Sequence, residues 1–395
     1  MRILYLVHRF PFPPDKGDKI RSFHWLEALR RHHEVHLVTL MPDPADAVHL
    51  AELESRCASA AVIPMKKIFP KLRALGAVVR GGALSVAHFQ ERKARAAMKR
   101  VLAEHDIDLI LEFSAAMADF PVGDKKIPRV LDMVDVDSQK FSGYADLASG
   151  GKKRLFAMEA KRLRAFEQEC VRDHEVTLLC TEQEAELLRS FAGAGRIDFV
   201  QNGAALPPDP SACGAKPHLV FVGAMDYQAN IDAVVWGARE IMPLVLATCP
   251  DARFLIVGRH PTQEVKALAS LQGVEVHENA PDVGVYLDGA AAGFIPLRVA
   301  QGIQNKVLEA MAHRLPVITH PRVASALHAR PGDDILIAET AQDYAEHIKV
   351  LFDSQSRAQE IGDAGRRLVE RDFAWEASYD ALESILQSVV KGAQS

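Results

Sequence analysis

No stretch of this chain is apolar for long enough to cross a bilayer; the first burst, Ile3 to Val7, has the length of a strand and no signal-peptide flanks. The expectation is a cytoplasmic protein without a spanning helix. Cysteine is scarce. Its five copies, Cys57, Cys170, Cys180, Cys213 and Cys249, are odd in number, far apart and never in a C-x-x-C pair, which argues against a disulfide framework or a zinc site and leaves them as core residues. No G-x-G-x-x-G follows the opening strand, so a dinucleotide-dependent dehydrogenase is disfavoured. Net charge is also small, −5 over the chain, whereas a nucleic-acid binder would be far more basic. That balance hides an asymmetry: residues 1–200 hold 31 Lys+Arg against 28 Asp+Glu, and residues 201–395 hold 16 against 24. A mildly basic first half suits an anionic partner, either a phosphorylated substrate or a membrane surface.

What is present is a chain of 395 residues with 48% apolar content, more than one core usually holds, so two domains are predicted. "RILYLV", "HEVHLVTL", "IDLILEFS" and "PRVLDMVD" are short β-rich bursts separated by helical patterns. Between the first two, Ile20, Phe23, Leu26 and Leu29 mark the core side of a helix and leave Lys19, Arg21 and Arg30 on its surface. "QNGAALPPDPSACGAKP", residues 201–217, has the composition of a linker. The pattern then restarts with "HLVFVGAM", "ARFLIVGRH", "GVEVHE", "AAGFIPL" and "LPVITH". Repeated strand–helix–strand units build parallel sheets, so the predicted class is α/β: two Rossmann-like doubly wound domains facing across a cleft, with ligands at the carboxyl ends of the strands. The expected domains are residues 1–203 and 204–395, with an amphipathic final helix over about 374–391 that can tie back to the first.

The stretch "PLRVAQGIQNKVLEAMAHRLPVI", residues 296–318, reads as a strand end, a glycine, a helix and another strand. Gly302 lets the backbone turn closely before a helix that begins near Ile303. A helix start leaves four amide donors unpaired and carries about half a positive charge, which suits phosphate. Lys306 adds a full charge in the first turns. Glu309, three residues on, shares its face, and helical side chains tilt toward the same end. A carboxylate repels phosphate but accepts hydrogen bonds from a ribose diol, so the pair together reads as a nucleotide site. Taken alone, the same residues also describe an ordinary solvated helix start, with Leu308 and Met311 in the core. Glycine turns at Gly223 and Gly258 earlier in the second lobe favour the nucleotide.

"KVLEAMAHRLPVI" resembles the donor-binding signature of the retaining glycosyltransferases of family 4, which have the two-lobed GT-B fold. The likeness continues through "RFPFPPDKGDKIRS", "DMVDVDSQKF", "QNG", "VFVGAMDYQANIDAV" and "PLRVAQGIQNKVLEAMA". More narrowly, the chain is similar to the sugar transferases of the PEP-CTERM/exosortase exopolysaccharide system. The resemblance implies transfer of a sugar, with retention, from a nucleotide-sugar donor to a glycan or lipid-linked acceptor, with no further cofactor and no metal. It makes Glu309 the ribose-binding acid and puts Gln301 where the family has its first glutamate, so an amide replaces a carboxylate at the sugar hydroxyls. Ala224 and Gln228 stand in the region of the family's Arg/Lys diphosphate clamp, which leaves Lys306, Arg298 and the helix amides to neutralise the leaving group. The implied donor-binding set is Gly17, Gly223, Arg298, Gln301, Gly302, Ile303, Asn305, Lys306 and Glu309; Asp135, Lys306 and Glu309 are the catalytic candidates.

In "HRFPFPPDKGDKIRS" Gly17 sits at the carboxyl end of the first strand, where glycine permits a close approach of backbone to phosphate or acceptor; His8, Arg9, Lys16 and Lys19 lie nearby. "DMVDVDSQKF" sets Asp132, Asp135 and Asp137 around the end of a strand. Asp135 and Asp137 read either as a D-x-D metal pair or as a group that orients or deprotonates an acceptor hydroxyl, with Asp137 or Ser138 capping the next helix. The two-lobed pattern argues against the metal. Residues 66–82, "KKIFPKLRALGAVVRGG", place Ile68, Leu72, Leu75 and Val79 at helical spacing among five cations. Such a helix either packs on the first lobe or lies on an anionic membrane, giving peripheral association with the inner face of the plasma membrane. "RKARAAMKR" and "KKRLFAMEAKRLR" add basic surface in the same lobe. Two other functions stay open: a sugar-nucleotide epimerase of the same fold, and a nucleotide-sugar-binding subunit that has lost activity.

Overall fold

The structure, a computed structural model, describes residues 1–14, 17–65, 82–120, 127–207, 216–299 and 303–393. The amphipathic stretch read at residues 66–82 lies outside these except for Gly82, as do Lys16, Cys213, Gln301 and Gly302. The chain divides into two compact units, Met1–Gln201 with Ser378–Ser395, and Asn202–Ala377.

The first unit is built on seven strands: β1 (Arg2–Val7), β2 (Glu34–Met41), β3 (Ser59–Pro64), β4 (Leu109–Phe113), β5 (Arg129–Val134), β6 (Val176–Leu179) and β7 (Ile197–Phe199). They pair in parallel in the order β3-β2-β1-β4-β5-β6-β7. The second unit has six: β8 (His218–Ala224), β9 (Arg253–Arg259), β10 (Val274–Glu278), β11 (Ala292–Ile295), β12 (Val317–Thr319) and β13 (Leu336–Ile337). Their order, β10-β9-β8-β11-β12-β13, is again parallel throughout. Both sheets are doubly wound, with the order reversing between β1 and β4 and between β8 and β11. Helices cover both faces of such a sheet, and so the central strands are apolar on both sides: Ile3 to Val7 and Leu109 to Phe113 are buried without interruption. The nine apolar bursts of the sequence fall on nine of these strands. β3, β6, β7 and β13 were not among them; β6, β7 and β13 have only four, three and two residues, too short to show a period.

One helix differs from its sequence reading. Gly17–Leu29 buries Arg21, Ser22, Trp25, Leu26 and Leu29, while Phe23 is only half-buried. Lys19 and Arg21, expected on the surface, are interior. Lys19 pairs with Asp46 at 2.7 Å, and Arg21 forks onto Asp132 at 2.7 and 3.2 Å and donates to the carbonyl of Val200 at 2.8 Å. Trp25 donates its indole N–H to the same carboxylate. Asp132 is therefore a core anion with three donors, as a buried charge requires, and is not part of an open acidic cluster. Of the four described cysteines only Cys170 is fully buried; Cys57, Cys180 and Cys249 are half-buried, and all four are free thiols.

The last helix, Trp375–Ala393, begins in the second unit and from Ser378 belongs to the first. Ser378 donates to the carbonyl of Gln201 at 2.8 Å, Glu383 pairs with His33 at 2.6 Å, and Leu382, Leu386 and Val389 are buried. Among the described residues no helix is long and apolar enough to cross a membrane.

Candidate functional site

In a doubly wound sheet ligands sit outside the carboxyl ends of the strands, at the point where the order reverses. In the second unit that point lies between β8 and β11. Gly223 near the end of β8 and Gly258 near the end of β9 are register partners, and their backbones approach so closely that a Cβ on Gly258 would lie 1.7 Å from the carbonyl oxygen of Gly223. A Cβ on Gly223 would press on the side-chain amide of Asn230 at 2.8 Å. Asn230 is itself buried and donates to the carbonyl of Ala224 at 2.8 Å, closing the turn after β8. Sequence reading missed it; an amide among the apolar residues of "ANIDAVVW" was the available signal.

β11 leads into Pro296, Leu297 and Arg298. Arg298 has local partners: it forks onto Asp232 at 2.6 and 3.2 Å, which raises its affinity for its proton, and its guanidinium lies 4.8 Å from the centre of the Trp236 ring. The helix that follows starts at Asn305, two residues later than expected, because Gln304 is still extended (φ −94°, ψ 107°) and serves as the cap residue without a side-chain cap bond. Ile303 thus belongs to the loop. The N–H groups of Asn305 and Lys306 meet no acceptor among the described residues, as at an open helix start. The helix packs Val307, Leu308, Ala310 and Met311 inward, and Gly293 on β11 makes room: a Cβ there would lie 3.0 Å from that of Ala310.

Lys306 and Glu309 share the remaining side of this helix. Each keeps some accessible surface yet is enclosed on most sides, as are groups lining a recess. Loss of solvating water lowers the Lys306 ammonium to about 8, with Glu309 pulling weakly the other way. The same loss raises Glu309, and Lys306 lowers it. The two form no ion pair within 4.0 Å among the described contacts. Lys306 instead reaches the side-chain oxygen of Gln304 at 3.3 Å and lies 5.5 Å from the centre of the Phe221 ring. No hydrogen bond to the Glu309 carboxylate is present among the described residues. A poorly solvated cation beside two open amides, with an unsatisfied carboxylate one turn on, can receive a diphosphate and a diol.

In the first unit Gly17 opens the helix after β1, and Asp135 follows β5, with β4 between the two strands. His8 is buried and stacks on Phe113, at 5.7 Å between rings; Arg9 lies 5.8 Å from the centre of the Phe89 ring. The backbone before Asp135 is strained. Val134 has φ 74°, and the N–H of Asp135 donates across it to the carbonyl of Met133 at 3.1 Å, closing a γ-turn of the rare hand. A β-branched residue there costs about 1–3 kcal/mol and persists because neighbours hold it. Cys180 N–H donates to the Val134 carbonyl at 2.8 Å, and Glu184 accepts from the N–H of Val136 at 2.7 Å. Ser114, directly after the adjacent strand β4, also has positive φ, 70°, and donates its N–H to the Asp132 carbonyl.

Asp135 is exposed and accepts from the Cys180 thiol at 3.0 Å. Asp137 is half-buried, raised by burial, and faces Lys140 at 3.6 Å. Neither Asp137 nor Ser138 caps the helix Asp137–Leu147, contrary to expectation. Glu167, from the helix Gly150–Asp173, does so, accepting from the Ser138 N–H at 2.8 Å and from its hydroxyl at 2.5 Å. Burial lifts the Glu167 carboxyl to about 7, against the pull of those Ser138 bonds.

The structure thus brings Gly223, Arg298, Ile303, Asn305, Lys306 and Glu309 to the carboxyl ends of two neighbouring strands of the second unit, while Gly17 and Asp135 belong to the first.

Residues 216–354 match the family model described as "Glycosyl transferases group 1". The chain is 28% identical over 162 residues to the GDP-mannose-dependent monoacylated alpha-(1-6)-phosphatidylinositol monomannoside mannosyltransferase of Corynebacterium glutamicum, a match spanning 38% of this chain and 42% of that protein. In fold it is similar to sucrose-phosphate synthase from Thermosynechococcus elongatus, with TM-score 0.72 and 18% identity over 99% of this chain and 100% of the other. It is also similar to Anabaena HepE in complex with UDP and glucose, with TM-score 0.64 and 15% identity over 98% and 100%. The two parallel sheets with their helices are those of the GT-B fold, and residues 216–354 of the second unit are similar to the group 1 glycosyltransferases.

Proposed function

We propose that the protein transfers a sugar from a nucleotide-sugar donor to a glycan or lipid-linked acceptor, with retention, in exopolysaccharide synthesis of the PEP-CTERM/exosortase type. One observation carries the reading: Lys306 and Glu309 on one side of a helix start at the switch point of the second sheet, enclosed and not paired with each other. Lys306 and the amides of Asn305 and Lys306 receive the diphosphate, and the Glu309 carboxylate takes the ribose diol. As the bond from sugar to diphosphate breaks, negative charge grows on the leaving oxygen. A preformed ammonium in a water-poor recess stabilises that charge more than it stabilises the ground state. The account assigns neutralisation to Lys306 and the helix dipole and calls for no metal. Gln301 and Gly302 join the donor side, and Gly223 lets backbone come close. Arg298 joins the diphosphate side through the guanidinium donors that its fork onto Asp232 leaves over. Asp135, set outward by the Val134 turn, is the candidate to orient the acceptor hydroxyl or take its proton. A cytoplasmic location follows from a nucleotide-sugar donor.

The similar proteins named above use a GDP sugar in one case and bind UDP in another, so the base is left to experiment. Thermal melting against uridine, guanosine and adenosine diphosphates should rise with one base in the wild type and not in Glu309→Ala. Incubation with the matching nucleotide sugars should give no new sugar nucleotide without an acceptor. Conversion in its absence would identify an epimerase instead.

A further inference from the structure

We propose that the tip of the helical hairpin formed by Asp137–Leu147 and Gly150–Asp173 is a docking surface for anionic phospholipid. It does not draw on residues 66–81, which lie outside the described residues. Tyr144 and Leu155 are among the few large apolar side chains left in water, 39% and 45% exposed. Tyr144 stands beside Phe141 and Phe156, their rings 5.8 to 6.1 Å apart, a small aromatic cluster between the two helices, and Leu155 precedes Phe156 in the chain. Around it the charge is one-sided. Between residues 141 and 161 the exposed cations are Lys152, Lys153, Arg154 and Lys161, and the only exposed acid is Asp146.

None of these four cations is in an ion pair among the described residues, so their charge is uncompensated. Glu159, which could have balanced them, is buried and spent on capping the helix Leu84–Phe89, accepting from the N–H groups of Leu84 and Ser85 at 2.9 Å each. The facing ends of the two helices are open to solvent: a methyl group at Gly143, Gly150 or Gly151 would meet nothing within 4 Å. An aromatic with a polar tip, an exposed leucine and adjacent uncompensated cations match an interface of acyl chains, headgroups and negative charge. An acidic protein would satisfy the cations but not the apolar residues; a second copy of this chain would set like charges against each other.

The surface goes beyond the transfer reaction and is tested without donor or acceptor. The full chain should co-sediment with vesicles of phosphatidylcholine mixed with phosphatidylglycerol, more weakly at high salt, and not with phosphatidylcholine alone. Each cation near an anionic surface strengthens binding about fivefold, so the triple variant Lys152→Gln, Lys153→Gln, Arg154→Gln should bind roughly a hundredfold more weakly. Leu155→Ser, at an exposed position, should weaken binding while leaving the melting temperature unchanged. Lys99→Gln with Arg100→Gln, exposed on the helix Arg92–Glu104, is the control and should bind as wild type. No binding to anionic vesicles, binding that the triple variant leaves intact, or equal loss in the control would overturn the proposal. A dimer in light scattering that Leu155→Ser dissolves would also overturn it, assigning the surface to self-association.

Discussion

Replacing Lys306 with methionine should stabilise the empty protein and weaken its hold on nucleotide. The ammonium titrates at about 8 rather than 10.5 because enclosure strips its water and Glu309 compensates only in part. A shift of that size corresponds to about 3 kcal/mol between the charged and neutral forms, and water reaching the recess reduces this to about 1–2 kcal/mol. Between about pH 8 and 10.5 the unfolded chain binds the proton that the folded chain has lost, so stability rises with pH across that window and the penalty is complete below it. Lys306→Met keeps the stem and removes the charge, so at pH 7 its melting temperature should exceed wild type by about 2–8 °C for a unit of this size. Diphosphate affinity should fall by about 10- to 100-fold, as for a lost charge-assisted bond. The gap in melting temperature should close as pH rises toward 10. Differential scanning fluorimetry from pH 6.5 to 10, with nucleotide titration of the same samples, reads all three quantities. A variant that melts below wild type, or that binds nucleotide undiminished, would refute the assignment of Lys306 to the diphosphate.

Other consequences are independent of that residue. Glu309→Gln should cut the affinity for a ribonucleoside diphosphate by about tenfold and abolish any preference over its 2′-deoxy form, measured by calorimetry. Gly258→Ala puts a methyl group on the Gly223 carbonyl and should cost at least about 2–3 kcal/mol in chemical denaturation. Glu167 titrates near 7 when folded, against 4.5 otherwise, so the folded chain holds the extra proton and stability falls as pH rises from about 4.5 to 7. Glu167→Gln should flatten that part of the stability–pH curve. Val134→Gly relieves the γ-turn and should leave stability equal or slightly higher, while lowering turnover with the donor KM unchanged.

The parallel sheets were legible because their central strands are continuous apolar bursts, and the Lys306–Glu309 pair because three-residue spacing on a helix is a local matter. What was illegible is non-local. Arg21 looks like a surface residue until Asp132, 111 positions away, is known to lie against it. Trp25 rather than Phe23 faces the core because its indole N–H also reaches that carboxylate. The cap of the helix after Asp135 comes from Glu167, 29 residues on from Ser138, and no nearby residue signals it. A left-handed valine has no sequence signature at all, since propensity argues against it. The start of the helix at Asn305 rather than Ile303 turns on the extended backbone of Gln304, a boundary of the kind that composition does not define.

The most direct test of the central claim is a crystal structure with the nucleoside diphosphate that raises the melting temperature. The account predicts phosphate oxygens on the amides of Asn305 and Lys306 and on the Lys306 ammonium, with both ribose hydroxyls on the Glu309 carboxylate. Nucleotide bound elsewhere in the second unit, with Lys306 and Glu309 untouched, would contradict it.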